Sequence, residues 1–223
     1  VKEKELLESQ SGIKIEESYK VKEAVIFAQS PRMNEIVNYA DKVAKGDISV
    51  LLIGETGAGK ETLAKRIHCR SERKEAPFII VDAKAMSSQQ IEAELFGYEG
   101  VEAGKVVIKV GALELASSGS VLIENMGELS KDMQLKLVQF IKSKTAVRRG
   151  CSNVFRSNVR ILSTAKEEFF AKVEGGEFRE DLFYLLSGVS IKVPALRDRK
   201  EDIEALANHF LNLGKEVNAQ KFL

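Results

Sequence analysis

Residues 54–62 read GETGAGKET, directly after the apolar run Ile48-Ser49-Val50-Leu51-Leu52-Ile53 and directly before the helix-like segment 63–68. A strand, a glycine loop and a helix start thus follow one another in the order that a phosphate-binding turn requires. Gly54, Gly57 and Gly59 let the backbone turn tightly and aim successive N–H groups inward, toward the positive end of the coming helix. With Glu55, Thr56 and Ala58 between them they make a nest for phosphate oxygens, and Lys60 adds a point charge for the outer phosphates. The spacing fits G-x-x-x-x-G-K. Glu61 stands where a Ser or Thr usually follows the lysine, with Thr62 one place later, so no hydroxyl directly follows Lys60 to ligate magnesium. The competing reading is a glycine turn that only joins strand to helix; the register of the lysine and of both flanking elements weighs against it.

The loop sits in an alternating pattern. The spacing predicts a helix over 31–44, a strand over 48–53, a helix over 61–69, a strand over 78–81 and a helix near 88–96. A strand over 120–123 comes next, then a long amphipathic helix marked by Leu129, Met133, Leu137, Phe140 and Ile141 and capped by Ser130, and a strand over 159–163. Another helix starts at 201 and runs to about 213. Short apolar strands separated by helices imply an α/β fold: a parallel sheet covered on both faces, with its ligand at the carboxyl ends of the strands.

Residues 1–24 mix charges with sparse Leu and Ile and read as a linker or partly helical tether. Leu6, Ile13 and Lys20 fall at heptad spacing, too short a run for a coiled coil. The core is expected over 25–193, and residues 194–223 read as an incomplete helical lid. The chain has 223 residues, of which 44% are hydrophobic, enough to bury a full core. Lys plus Arg number 34 against 33 Asp plus Glu, so no global basic field favours DNA, and a DNA-binding module is expected outside this chain. Two cysteines, Cys69 and Cys151, make neither a disulfide framework nor a zinc site, and a reducing cytoplasm is the expected compartment. No apolar run approaches the roughly 20 residues of a membrane span. The absence of an initiator methionine at Val1 suggests a piece of a longer protein.

Several blocks, in order, carry a resemblance: SPRMNEI, GETGAGKETLAKRIH, APFIIVDA, ELFGYE, MGELSKDMQLKLVQFI, VRIL, GEFREDLFYLL and VPALRDRKEDIEALANHFL. Over 25–213 the chain resembles the AAA+ domain of bacterial enhancer-binding activators that act on sigma-54 RNA polymerase, and Glu61 after the lysine is what that family carries. The resemblance implies a P-loop ATPase core that binds ATP or ADP with Mg²⁺ at subunit interfaces, in a transcription regulator of the response-regulator type. It also implies self-association, from a dimer to a hexameric or heptameric ring, and an ATP-driven loop that pushes on the sigma factor.

The departures from the family pattern are as informative as the match. The family's acidic pair at the end of its third strand is Asp-Glu; here it is Glu124-Asn125. Glu124 keeps a carboxylate for indirect support of Mg²⁺, one methylene longer, whereas the Asn125 amide is no base at neutral pH. Losing a general base costs about 10²–10⁴ in rate, or roughly 3–5 kcal/mol. The family's asparagine on the second strand is Asp82 here, so carboxylate and amide have exchanged sides, and the two are expected to remain hydrogen-bonded. Independent drift in an idle site is the alternative.

Ala165 and Lys166 stand where the family senses the γ-phosphate with Thr-Asn. Arg179 matches the first of two arginines that reach a neighbouring subunit, and Leu185 replaces the second; the bland reading of Arg179 is an ion pair with Glu180 or Asp181. The sigma-contacting loop is reduced to Gly100-Val101-Glu102-Ala103-Gly104-Lys105, without its aromatic tip and threonine, which argues against productive sigma-54 contact. His68 reads as a packing or capping residue, and His209 has no evident partner. Arg148, Arg149, Lys142 and Lys144 read as a basic patch at a helix end.

The expectation is therefore a nucleotide-binding AAA+ module whose hydrolysis is weak or lost. A working ATPase that remodels sigma-54 RNA polymerase is the first alternative. A nucleotide-free or cyclic-dinucleotide-binding scaffold is the second.

Overall fold

The computed structural model describes residue 21 and residues 25–102 and 105–220; the tether expected over 1–24 lies, but for residue 21, outside the described residues. Five parallel strands form the central sheet. They are β1 (Val50–Ile53), β2 (Phe78–Asp82), β5 (Ser120–Glu124), β8 (Arg160–Ala165) and β9 (Val189–Lys192), in the order β2-β5-β8-β1-β9. Between them in the chain come two antiparallel hairpins, β3 (Gly97–Glu102) with β4 (Lys105–Val110), and β6 (Thr145–Val147) with β7 (Val154–Arg156).

Helices cover both faces: α1 (Pro31–Ala44), α2 (Lys60–Cys69), α3 (Ser88–Phe96), α4 (Ala112–Leu115), α5 (Lys131–Ser143), α6 (Phe169–Glu174), α7 (Glu180–Leu186) and α8 (Glu201–Gln220). Strand alternation splits the core in two. Leu51, Ile53, Val121, Ile123 and Ile161 point to one face, where they meet Leu95 of α3, Phe140 of α5 and Leu182 of α7. Val50, Leu52, Leu122, Leu162 and Ile191 point to the other and meet Ala40 of α1 and Leu63 and Ile67 of α2. Such side chains each contribute about 1.5–3 kcal/mol by leaving water.

Most expected elements form where the spacing puts them. Ser30 caps α1 by accepting from the Met33 N–H, ahead of Pro31 in the first turn, and Ser130 caps α5 by accepting from Met133 N–H. The last helix runs on from the expected 213 to 220, and three other differences stand nearer the sheet and hairpin. Strand β1 begins at Val50 because Ile48 stays 47% exposed, beyond the sheet. Strand β9 was not expected: as an edge strand it shows alternating burial and has no continuous apolar run. The loop expected over Gly100–Lys105 is largely strand, with Gly100, Val101 and Glu102 in β3 and Lys105 in β4; Ala103 and Gly104 fall outside the described residues.

Two buried polar ties position the ends of the sheet. The Arg160 guanidinium donates to the carbonyls of Ile48 (3.1 Å), Ala44 (3.0 Å) and Val43 (3.0 Å), joining the end of α1 to the start of β1. Asp202, in the first turn of α8, accepts from the N–H groups of Gln29 (2.6 Å) and Ser30 (2.7 Å) and from Ser30 Oγ (3.0 Å). The second tie brings the start of α8 over the start of α1, beside the carboxyl end of β1.

Candidate functional site

The glycine loop leaves the carboxyl end of β1, between β8 and β9. Gly57 (φ +79°) and Gly59 (φ +94°) are in conformations that L side chains resist, and Gly59 is the N-cap of α2 without any side-chain cap. The first N–H groups of α2, at Lys60, Glu61 and Thr62, therefore have no intrahelical acceptor and open into the loop. Amides in this arrangement converge at the positive end of the α2 dipole, a geometry that favours an anion.

Lys60 folds back across the loop, its Nζ donating to the carbonyls of Gly54 (2.7 Å) and Glu55 (2.8 Å). Burial holds its pKa below the ordinary lysine value; Glu124 pulls it up and Lys166 pushes it down. Glu61 pairs with Lys65 at 2.5 Å, one turn along α2. Gly54 N–H donates to Ala165 O at 3.1 Å, so Lys166 leaves β8 beside the first residue of the loop.

Glu124 ends β5 half-buried. Its pKa is raised first by burial, then by the charges of Glu61 and Asp82, with Lys60 opposing. Asp82 ends β2 in register with Glu124. The exchanged pair does meet: Asn125 Nδ2 donates to Asp82 Oδ1 at 2.7 Å, and the Lys84 N–H donates to the same oxygen at 2.9 Å. Asn125 adopts a left-handed backbone (φ +52°) that an asparagine tolerates, and its N–H is held by Thr164 Oγ1 at 3.1 Å.

Two cavities flank the loop. One, of about 440 Å³, lies between Glu55, Thr56, Lys166 and Arg197 and is mostly polar. The other, of about 470 Å³, lies between Gly57, Gly59, Phe27, Leu206, His209 and Phe210. The sequence offered no sign of this second cavity. His209, expected to be without a partner, packs against Phe27 with ring centroids 4.9 Å apart. Two arginines just before α8 bolt this region to the loop. Arg197 forms a two-pronged ion pair with Glu55, one contact at 2.7 Å, and Arg199 Nη2 donates to Ala58 O at 2.7 Å. Their signal in the sequence was the LRDRKED run, legible only as part of a block.

Other expected residues fall elsewhere. Arg179 is half-exposed in an ion pair with Asp181 (3.0 and 2.9 Å) and lines neither cavity. The basic patch is corrected. Arg148 is buried against Glu114 (3.0 and 2.7 Å), and Arg149 lies 4.8 Å over the Tyr98 ring, so neither is a solvated helix-end cation. His68 is buried, with Nδ1 3.0 Å from Ser120 Oγ and its ring against Phe78. The β3–β4 hairpin exposes the cross-strand pair Val101 and Val106, at 69% and 68%. Among the described residues no cluster of three His, Cys, Asp or Glu could hold a metal, and no helix is long and apolar enough to cross a membrane.

The sequence and fold match known proteins. A family model described as the sigma-54 interaction domain matches residues 26–192. The regulatory protein AtoC of Escherichia coli K12 is 39% identical over 199 residues, covering 89% of this chain and 43% of AtoC. The crystal structure of NtrX from Brucella abortus in complex with ADP superposes with a TM-score of 0.77 at 31% identity, over 95% of this chain and 45% of NtrX. The NtrX complex with ATP gives 0.76 at 32% identity, over 93% and 46%. The chain thus spans less than half the length of these relatives.

Proposed function

Because the chain belongs to the sigma-54 interaction domain family, we propose that it is the ATP- and ADP-binding AAA+ module of a bacterial transcription regulator, one in which hydrolysis is slow or lost. The observation that carries nucleotide binding is the loop geometry: an uncapped helix start behind two left-handed glycines, with a half-buried lysine folded over it. NtrX, of the same fold, has been crystallised with ADP and with ATP. In this reading the amides of residues 54–62 and Lys60 hold the phosphates, and Lys166 adds a second cation beside them. The aromatic cavity takes the base.

Weak hydrolysis rests on the pair at the ends of β2 and β5. Water attack needs a carboxylate to take the proton, and position 125 carries an amide whose NH₂ is already committed to Asp82. A magnesium ion would offset the repulsion by Glu61 and Asp82 that, after burial, raises the Glu124 pKa. Glu124 would hold such an ion through its water shell, where it would neutralise phosphate charge. The ring expected from the family needs a neighbour's cation, and Arg179 is its source in this reading. It must first leave Asp181, an exposed pair that costs little to break. The hairpin lacks the aromatic tip and the threonine through which the family makes this contact, with Glu102 standing at the tip, so sigma-54 RNA polymerase is the weaker of its partner assignments.

Calorimetric titration with ATP and ADP tests the reading. The parent chain binds both; Lys60→Ala weakens both at least about 100-fold, since a charged donor on phosphate is worth about 1.5–3 kcal/mol per hydrogen bond and Lys60 offers more than one. Equal affinities for the parent and Lys60→Ala would discard the loop as the phosphate site. Phosphate release at the rate of a working ATPase would favour the remodelling enzyme instead.

A further inference from the structure

Arg199 lines the 470 Å³ cavity and is 92% buried, with 8% of its surface accessible. Its donors are unequally used. Nη2 donates to Ala58 O at 2.7 Å, and Nη1 lies 3.7 Å from Asp202 Oδ2, too far for a hydrogen bond. Nε is buried and has no partner. Asp202 cannot turn to satisfy it, because both of its oxygens are committed to Gln29 and Ser30. A charged donor left without an acceptor in a buried site carries a desolvation penalty that a ligand acceptor would relieve.

The rest of the cavity says what kind of ligand. Phe27, His209 and Phe210 supply ring faces, and Leu206 supplies an apolar wall. Such walls take a flat ring system. Gly57, Ala58 and Gly59 form the remaining side, so the ring must connect over a short distance to whatever the loop holds.

We propose that Arg199 is the residue that reads the base: its guanidinium, in which neither Nε nor Nη1 makes a hydrogen bond, donates to a ring-nitrogen acceptor on the edge of a purine stacked in this cavity, while Nη2 holds the loop carbonyl of Ala58. This rests on the nucleotide-binding reading above. One guanidinium then touches both subsites, so base and phosphates bind cooperatively. Adenine and guanine both supply such an acceptor.

The test uses the parent chain and analogues that each lack one ring nitrogen: 1-deaza-, 3-deaza- and 7-deaza-ATP, titrated beside ATP and inorganic tripolyphosphate. One of the three deaza analogues binds about 10- to 100-fold more weakly than ATP, the loss expected for a hydrogen bond to a charged donor. In Arg199→Met that difference between ATP and the same analogue disappears, and tripolyphosphate binds less tightly than to the parent because the tie to Ala58 O is lost with the guanidinium. All three analogues binding within about twofold of ATP would overturn the assignment of Arg199, as would a difference that survives in Arg199→Met. Parent chain that binds tripolyphosphate as tightly as ATP overturns the base site alone. Parent chain that binds neither overturns the loop reading with it.

Discussion

Restoring a glutamate at position 125 should not by itself restore hydrolysis, and the reason lies in the 2.7 Å contact between Asn125 Nδ2 and Asp82 Oδ1. Asn125→Glu replaces a donor by a second carboxylate pressed against the first. At a separation of about 4 Å and an effective dielectric near 20, two such charges repel by about 4 kcal/mol, close to three pKa units. One of the two carboxyls then holds a proton to near neutrality, and the new glutamate is a poor base. Asp82→Asn removes the repulsion and supplies an amide to orient the glutamate, recreating the pair with its members exchanged. It also removes one of the charges that raise the Glu124 pKa.

Steady-state phosphate release should therefore show a sign change rather than a sum. Asp82→Asn lowers the residual rate, because Asp82 is the carboxylate left beside the amide. Asn125→Glu raises it less than about tenfold, and the double variant raises it by about 10²–10⁴, the ordinary worth of a general base. Equal rates for Asn125→Glu and the double variant would refute the coupling. An unchanged rate in Asp82→Asn would show that Asp82 takes no part in moving the proton.

Two further predictions concern stability. His68 is fully buried, and burial pushes its pKa down from 6.5 to about 4. The unfolded chain therefore binds a proton that the folded one refuses. Stability is full above pH 6.5 and falls as the pH drops toward 4, by roughly 3 kcal/mol. The urea midpoint should decline between pH 6.5 and 5, before the low-pKa carboxylates Asp41 and Asp47 protonate, and His68→Leu should flatten that slope; a parent midpoint constant over this window contradicts the burial argument. Arg148→Ala leaves Glu114 partly buried without its guanidinium, at a cost of about 3 kcal/mol in urea unfolding with an unchanged slope. A loss below about 0.5 kcal/mol would mean that the pair is solvated as the sequence suggested.

What was legible in the sequence was local. The proposed phosphate nest is made of backbone, and glycines at 54, 57 and 59 next to a lysine describe it within one strand–helix junction. The Asp82–Asn125 contact could be foreseen from the family resemblance, in which the matching asparagine and glutamate touch, and the ends of β2 and β5 do lie in register. The illegible features are those in which a polar side chain meets a partner far along the chain. Arg148 beside Arg149 looks like a solvated patch until Glu114, on another element, neutralises it. Arg197 and Arg199 reach back to Glu55 and Ala58 across more than half the chain, and nothing in either segment announces the other. The same division runs through the proposed ligand. Its phosphates answer to a contiguous run, whereas its base answers to Phe27, Arg199 and His209, which the bonds of Asp202 to the backbone at the start of α1, with the arginine ties to the loop, bring together. In the proposed site that tie would govern base affinity without touching the base.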